Sequence, residues 1–220
     1  MGKKLFKKMI PGIVLMLIFV IFTVLVKTVD VQPIGPLGSS VGFAAVNAFF
    51  AERFPFNESW YNFTQLLGYC AIGVCVLFGC VGFVQLVKRK SLLKVDGRIV
   101  SLGIYYIDVI MFYVLFNIFP INYRPVLEDG VLEASYPSSH TVLLVCVMLT
   151  AILQIGWLIK SRNLKIVLDI VCLAAALVML VGRVISGVHW FTDILGGIIL
   201  SASLVAMYCG VFSFIEESQK

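Results

Sequence analysis

Six apolar runs, each near the length that crosses the hydrocarbon core of a bilayer, divide this sequence. They lie at about residues 9–26, 66–86, 99–119, 138–159, 166–185 and 192–214. Within lipid no water is available to an exposed N–H or C=O, so a spanning segment bonds its own backbone as a helix. A membrane barrel would need short segments of alternating apolar and polar residues, and the runs do not alternate. With 60% hydrophobic and 13% charged residues, the 220-residue chain lacks the polar surface a water-soluble core requires. The expected fold is all-α: a polytopic membrane helix bundle of six transmembrane helices, built by residues 1–220 as one integral membrane domain.

The first run follows Lys3, Lys4, Lys7 and Lys8, as a secretory signal does. It is long for such a signal and no small-x-small cleavage site follows, so it reads as the first span. Residues 27–63 break the pattern. Pro33, Gly35, Pro36 and Gly38 mark a loop. Residues 41–54 are apolar and small but contain Glu52 and Arg53 and are too short to span, which predicts an interfacial helix between the first two spans. Trp60, Tyr61 and Phe63 suit the aromatic belt at the head groups. Glu216, Glu217 and Lys220 form a polar tail.

Charge sets the orientation. The N-terminal lysines, the loop with Lys88, Arg89, Lys90, Lys94 and Arg98, and the loop with Lys160, Arg162 and Lys165 are alternate connections, so all lie on one side. Basic residues flanking spans favour the cytoplasm, which puts both termini there. Residues 27–63, 120–137 and 186–190 then face outward. The net charge of +5 is spread between spans and lines no stripe, so nucleic acid is not an expected partner. The 6 cysteines have neither metal-ligand nor disulfide-framework spacing and read as buried, inert thiols.

Everything that looks like chemistry falls on the outer face. Pro137, Ser138, Ser139 and His140 open the fourth span. The free N–H groups of a helix N-terminus attract an anion, the serines add hydroxyls, and the imidazole offers a proton. Arg183 closes the fifth span, where an ionisable side chain belongs inside the bundle serving a site. His189 and Asp193 follow, four residues apart and so expected on one helical face, where the carboxylate would orient the imidazole as a nucleophile. Arg124, before Pro125, brings a second forked cation to the same side. Two arginines, a helix N-terminus, two histidines and a carboxylate suffice for phosphoryl transfer, which rests on positioning and charge stabilisation. No carboxylate or thiolate set suggests a metal, and no cofactor is expected. Asp108, within the third span, is expected to hydrogen-bond Tyr105 and hold helices together. Gly196, Gly197 and Ser201 allow close helix packing.

These segments resemble the type 2 phosphatidic acid phosphatase (PAP2) family of lipid phosphatases. Its motifs run Lys-x6-Arg-Pro, Pro-Ser-Gly-His and Ser-Arg-x5-His-x3-Asp. Here they read Arg124-Pro125, Pro137-Ser138-Ser139-His140, and Arg183, His189 and Asp193 with matching spacing. The six-span layout matches too. The resemblance implies that His189 attacks phosphorus to form a phosphohistidine, that Asp193 orients it, and that His140 protonates the leaving oxygen and then activates water. Arg124, Arg183, Ser138 and Ser139 would hold the phosphate, without a metal. Phosphatidic acid, phosphatidylglycerol phosphate and polyprenyl diphosphate are the implied substrate classes. Asn117 stands where the family has its first-motif lysine, Ser139 where it has glycine, and Gly182 where it has serine. Asn117 keeps a neutral donor but loses a cation, for which Lys27 or Arg53 is a candidate replacement. The same site chemistry would also serve transfer of phosphate to another lipid, or lipid binding with weakened turnover. Short loops and the lack of sorting signals fit the plasma membrane of a bacterium. The sequence leaves the oligomeric state open.

Overall fold

A computed structural model of the protein describes residues 2–128 and 130–218; Lys220 lies outside them. Among the described residues there are seven α-helices: α1 Gly2–Thr28, α2 Ala44–Arg53, α3 Glu58–Arg89, α4 Gly97–Ile118, α5 Ser139–Leu158, α6 Arg162–Ile185 and α7 Phe191–Ser218. All except α2 are long and apolar enough to cross a membrane. The helices extend beyond the apolar runs because polar caps continue them. Asn57 accepts the Trp60 N–H at 3.1 Å and starts α3 well ahead of its apolar stretch. Asp96 caps α4 through the Arg98 N–H at 2.9 Å.

α5 is the central helix and packs against α3, α4, α6 and α7. Its buried residues join two apolar clusters: one with α1, α4 and α7 around Leu102, Cys146 and Leu200, and one with α3 and α6 around Ala71, Val147 and Met179. α1 lies along α7 at very close range. Ser203 Oγ donates to the Gly12 carbonyl at 2.8 Å, and a Cβ on Gly210 would sit 2.7 Å from the Lys8 carbonyl oxygen. Lys4 and Lys8 pair with Glu217 at 2.8 and 2.7 Å, so the two ends of the chain share one end of the bundle. The small residues of α7 act as expected. A Cβ on Gly196 would fall 2.5 Å from the Tyr136 ring, and Ser201 Oγ donates to the Gly197 carbonyl at 2.6 Å.

The outward faces are apolar: Leu77 and Phe83 of α3, Ile107 and Met111 of α4, and Ile170 and Leu177 of α6 are exposed. Such a surface would promote aggregation in water and is what lipid solvates. Two expectations fail here. Asp108 is exposed on α4, while Tyr105 is buried against the Tyr208 ring at 4.9 Å with its hydroxyl unpartnered, so the two do not tie helices together. Only Cys146 and Cys172 are buried; Cys70 and Cys80 are exposed, because α3 borders the outside of the bundle.

The short α2 fixes the position of the turn between α6 and α7. Asn47, fully buried on α2, donates to Thr192 Oγ1 at 2.9 Å and accepts the Thr192 N–H at 3.1 Å. Phe50 stacks on Phe191 with centroids 3.8 Å apart. A helix too short to span thus anchors the first turn of α7.

Candidate active site

The α6–α7 turn is built to face inward. Gly187 has φ +62°, and a Cβ there would meet the Phe54 carbonyl oxygen at 2.6 Å, so a side chain is excluded on both counts. The Ser186 carbonyl accepts the Asn57 N–H at 3.0 Å, which ties the turn to the start of α3. His189 lies in this turn, before α7 begins at Phe191. The expected shared helical face with Asp193 therefore does not form. The turn brings them together instead. The Trp190 N–H donates to Asp193 Oδ2 at 3.0 Å, folding the carboxylate back over the helix N-terminus, and leaves Oδ2 3.8 Å from His189 Nδ1. Asn122 Nδ2 holds the other oxygen, Oδ1, at 3.0 Å.

Arg183 is wholly buried at the end of α6. Its Nη2 is 2.8 Å from His140 Nδ1 and 3.4 Å from His189 Nε2, so both imidazoles meet one guanidinium nitrogen. Nη1 donates to Thr64 Oγ1 at 3.1 Å, and the Tyr61 ring centroid is 5.7 Å away. A guanidinium only donates, so the two imidazole nitrogens that face it are acceptors. The protons then sit on His140 Nε2 and on His189 Nδ1, an assignment that follows from the contacts with Arg183; Asp193 Oδ2, at 3.8 Å, lies on the Nδ1 side but beyond direct hydrogen-bond reach. Burial keeps His189 neutral, well below the ordinary imidazole range, and Arg183, Arg124 and His140 push in the same direction. Among the described residues no carboxylate pairs with Arg183. A buried cation solvated only by neutral groups leaves the pocket attractive to an anion.

His140 stands on the first turn of α5. The first intrahelical bond runs from the Val142 N–H to the Ser138 carbonyl, so the N–H groups of Ser139, His140 and Thr141 point out of the helix end. Ser139 lines the neighbouring cavity. Ser138 does not: its hydroxyl accepts from Thr141 Oγ1 at 3.0 Å, and its N–H donates to the Asp193 carbonyl at 3.0 Å, so it joins α5 to α7. Gly68 of α3 makes room for the imidazole, since a Cβ there would lie 2.7 Å from His140 Cδ2. Gly182, where the resembled motif has serine, faces Thr64, with a Cβ falling 2.7 Å from Thr64 Cγ2. The exchange gives Thr64 the space from which it holds Arg183.

Arg124 arrives on the outer loop. Two isolated antiparallel bridges, Tyr123 with Ala134 and Glu128 with Val131, shape this loop. Trp190 Nε1 donates to the Tyr123 carbonyl at 2.6 Å and docks the loop on the α6–α7 turn. Arg124 Nη1 pairs with Glu128, and Nη2 is 3.2 Å from Glu133 Oε2. Tyr61, whose ring lies over Arg183, donates its hydroxyl to the same Glu128. Asn117 is exposed, and its amide donates to the Tyr113 carbonyl of its own helix at 2.9 Å. Lys27 and Arg53, the candidate replacements for the lysine, are exposed and do not line the cavity.

That cavity, of about 570 Å³, has two characters. Arg124, Glu133, Ser139, His140 and Asn117 give its lining polar groups, and Ile72, Val109, Phe112, Phe116 and Leu143 of α3, α4 and α5 give it apolar ones; His140 lines it, while Arg183 and His189 lie behind that lining. Sequence reasoning missed Thr64, Asn122, Gly68, Glu128 and Glu133. Thr64, Gly68 and Glu133 sit in no motif; Asn122 and Glu128 flank Arg124, and proximity to that arginine was the available signal.

A family model described as the PAP2 superfamily matches residues 102–215. The fold is similar to the crystal structure of a transmembrane PAP2-type phosphatidylglycerolphosphate phosphatase from Bacillus subtilis. The TM-score is 0.60 at 22% identity, covering 95% of this chain and 97% of that one. No curated protein sequence matches.

Proposed function

This chain belongs to the PAP2 superfamily, and from that premise we propose that it is a membrane lipid phosphatase working through a phosphohistidine on His189. The observation that carries the reading is the meeting of His140 and His189 on one buried arginine that no carboxylate neutralises. A phosphate dianion supplies the missing negative charge. It takes the donors of Arg183 and the open N–H groups of α5, and frees the lone pair of His189 Nε2 for in-line attack. Phosphate also draws Arg183 off His140 Nδ1, and that nitrogen takes a proton, which makes the ring an imidazolium. As the N–P bond forms, the bond from phosphorus to the lipid oxygen breaks, the Nε2 proton of His140 passes to that oxygen, and His140 is left neutral. Water then attacks the phosphohistidine, giving its proton to His140 and releasing inorganic phosphate. Asp193 stabilises the proton on His189 Nδ1, held in place by Asn122 and Trp190. Ser138 positions α5 against α7. Arg124 and Ser139 meet the phosphate from the cavity side, and Asn117 reaches it only if its amide leaves the Tyr113 carbonyl.

The apolar lining of the cavity fits the hydrocarbon of a lipid, with the phosphate against Arg124, Ser139 and His140. The basic loops support placing the site on the extracytoplasmic face of a bacterial plasma membrane, with both termini in the cytoplasm. The reaction is read as metal-independent: the Arg183 guanidinium and the helix N-terminus supply the charge, and Arg124 adds to it once Glu128 and Glu133 release it. The test uses purified protein in detergent micelles with a metal chelator. It is offered phosphatidic acid, phosphatidylglycerol phosphate and a polyprenyl diphosphate, and released phosphate is measured. Release from one or more is expected, with loss in His189→Ala. A folded protein inert on all three, or a His189→Ala variant as active as wild type, would contradict the reading.

A further inference from the structure

The two arginines near the cavity are not in the same state. Both terminal nitrogens of Arg124 are taken, Nη1 by Glu128 and Nη2 by Glu133 at 3.2 Å. Glu128 also accepts from Tyr61, whose ring lies over Arg183. Glu133 and Asn117 line the same cavity as Arg124. Asn117 carries no charge, and its amide is bound to its own helix. On its cavity side, taken here as its mouth, the site therefore holds one arginine against two carboxylates, while the buried Arg183 touches no carboxylate among the described residues.

We infer that Glu128 and Glu133 are specificity-determining residues that select a lipid phosphomonoester and reject a diphosphate. The inference deepens the phosphatase reading and rests on it. A monoester needs one phosphate site, and Arg183 with the start of α5 provides it. A diphosphate brings a second charged phosphate that must lie at the mouth. There it meets two carboxylates and an arginine already neutralised by them. Like charges brought together at a partly desolvated site discriminate strongly, and repelling the wrong ligand is an efficient route to specificity. A lysine at position 117 would have offset this repulsion; asparagine does not.

The experiment compares diacylglycerol monophosphate with diacylglycerol diphosphate of the same acyl chains, as kcat/KM in micelles, for wild type, Glu133→Gln, Glu128→Gln and Asn117→Lys. Wild type should favour the monophosphate by about tenfold or more, a margin typical of one unfavourable charge contact. Each variant should lower that ratio by about fivefold or more, chiefly through KM for the diphosphate. A parallel arm needs no turnover: the thermal stabilisation of the same proteins by inorganic phosphate and by pyrophosphate. Wild type should bind phosphate in preference, and the variants should gain affinity for pyrophosphate. Failure of the phosphatase reading would appear as no turnover of either lipid, with the binding arm still deciding selectivity. Equal use or binding of both anions by wild type would overturn the inference. So would a ratio that none of the folded variants shifts.

Discussion

Arg183 and Arg124 belong to two regions that solve the same problem differently. Arg183 sits at the end of a spanning helix, fully buried, and its partners are two neutral imidazoles and a hydroxyl. Arg124 sits on a loop, and its partners are two carboxylates that remain partly exposed to solvent. The first region stores a cation whose charge is uncompensated, which is costly in an empty site and favourable once an anion arrives. The second has its charge already answered. It yields to phosphate only when Glu128 and Glu133 release it, which solvent access allows. Binding strength should therefore concentrate at the α6–α7 turn, and selection at the loop.

The largest expected effect is at the nucleophile. His189→Ala should reduce phosphate release by roughly 10⁴-fold or more, as loss of a covalent catalyst does, measured against a lipid phosphate in micelles. Arg183→Lys comes next, at about 10²–10³ in kcat, because an ammonium cannot span two imidazoles and Thr64 as a planar fork does. Gly68→Ala should cost about 10² in kcat, since the new methyl displaces His140 without touching its chemistry. Arg124→Lys should cost only about tenfold, because that side chain is already shared with carboxylates. If Arg124→Lys cost more than Arg183→Lys, the contrast between the regions would be reversed.

The smallest effect is on stability. The native His189 holds a proton less readily than the unfolded chain does, because burial and nearby cations disfavour its charged form. Below the unfolded imidazole value of about 6.5 the unfolded state gains a proton that the native state refuses, so stability falls with acid. Thermal unfolding in detergent is compared at pH 7.5 and 5.5 for wild type and His189→Gln, and wild type should lose more stability over that interval than the variant does.

The bundle was readable because lipid imposes one rule on every spanning segment, and each apolar run became one helix. The motif residues His140, Arg183, His189 and Asp193 were readable too, since their order and spacing were specific. Their contacts were less so. His189 and Asp193 meet through a turn that Gly187 and α2 shape, and a turn of that kind cannot be read from a four-residue spacing. Asp108 looked like a buried tie between helices, but which face of α4 turns outward depends on packing that the span's uniform hydrophobicity hides. Thr64 and Glu133 reach the arginines across the fold, and nothing in their local sequence marks them.

The most direct test of the central claim is to quench the protein during turnover of a lipid labelled in its phosphate and to locate the label. The account predicts an acid-labile, base-stable phosphohistidine on the peptide that contains His189, absent from His189→Gln and longer-lived in His140→Gln, where water is not activated. Turnover by wild type with no label on that peptide, or with the label on a different residue, would contradict it.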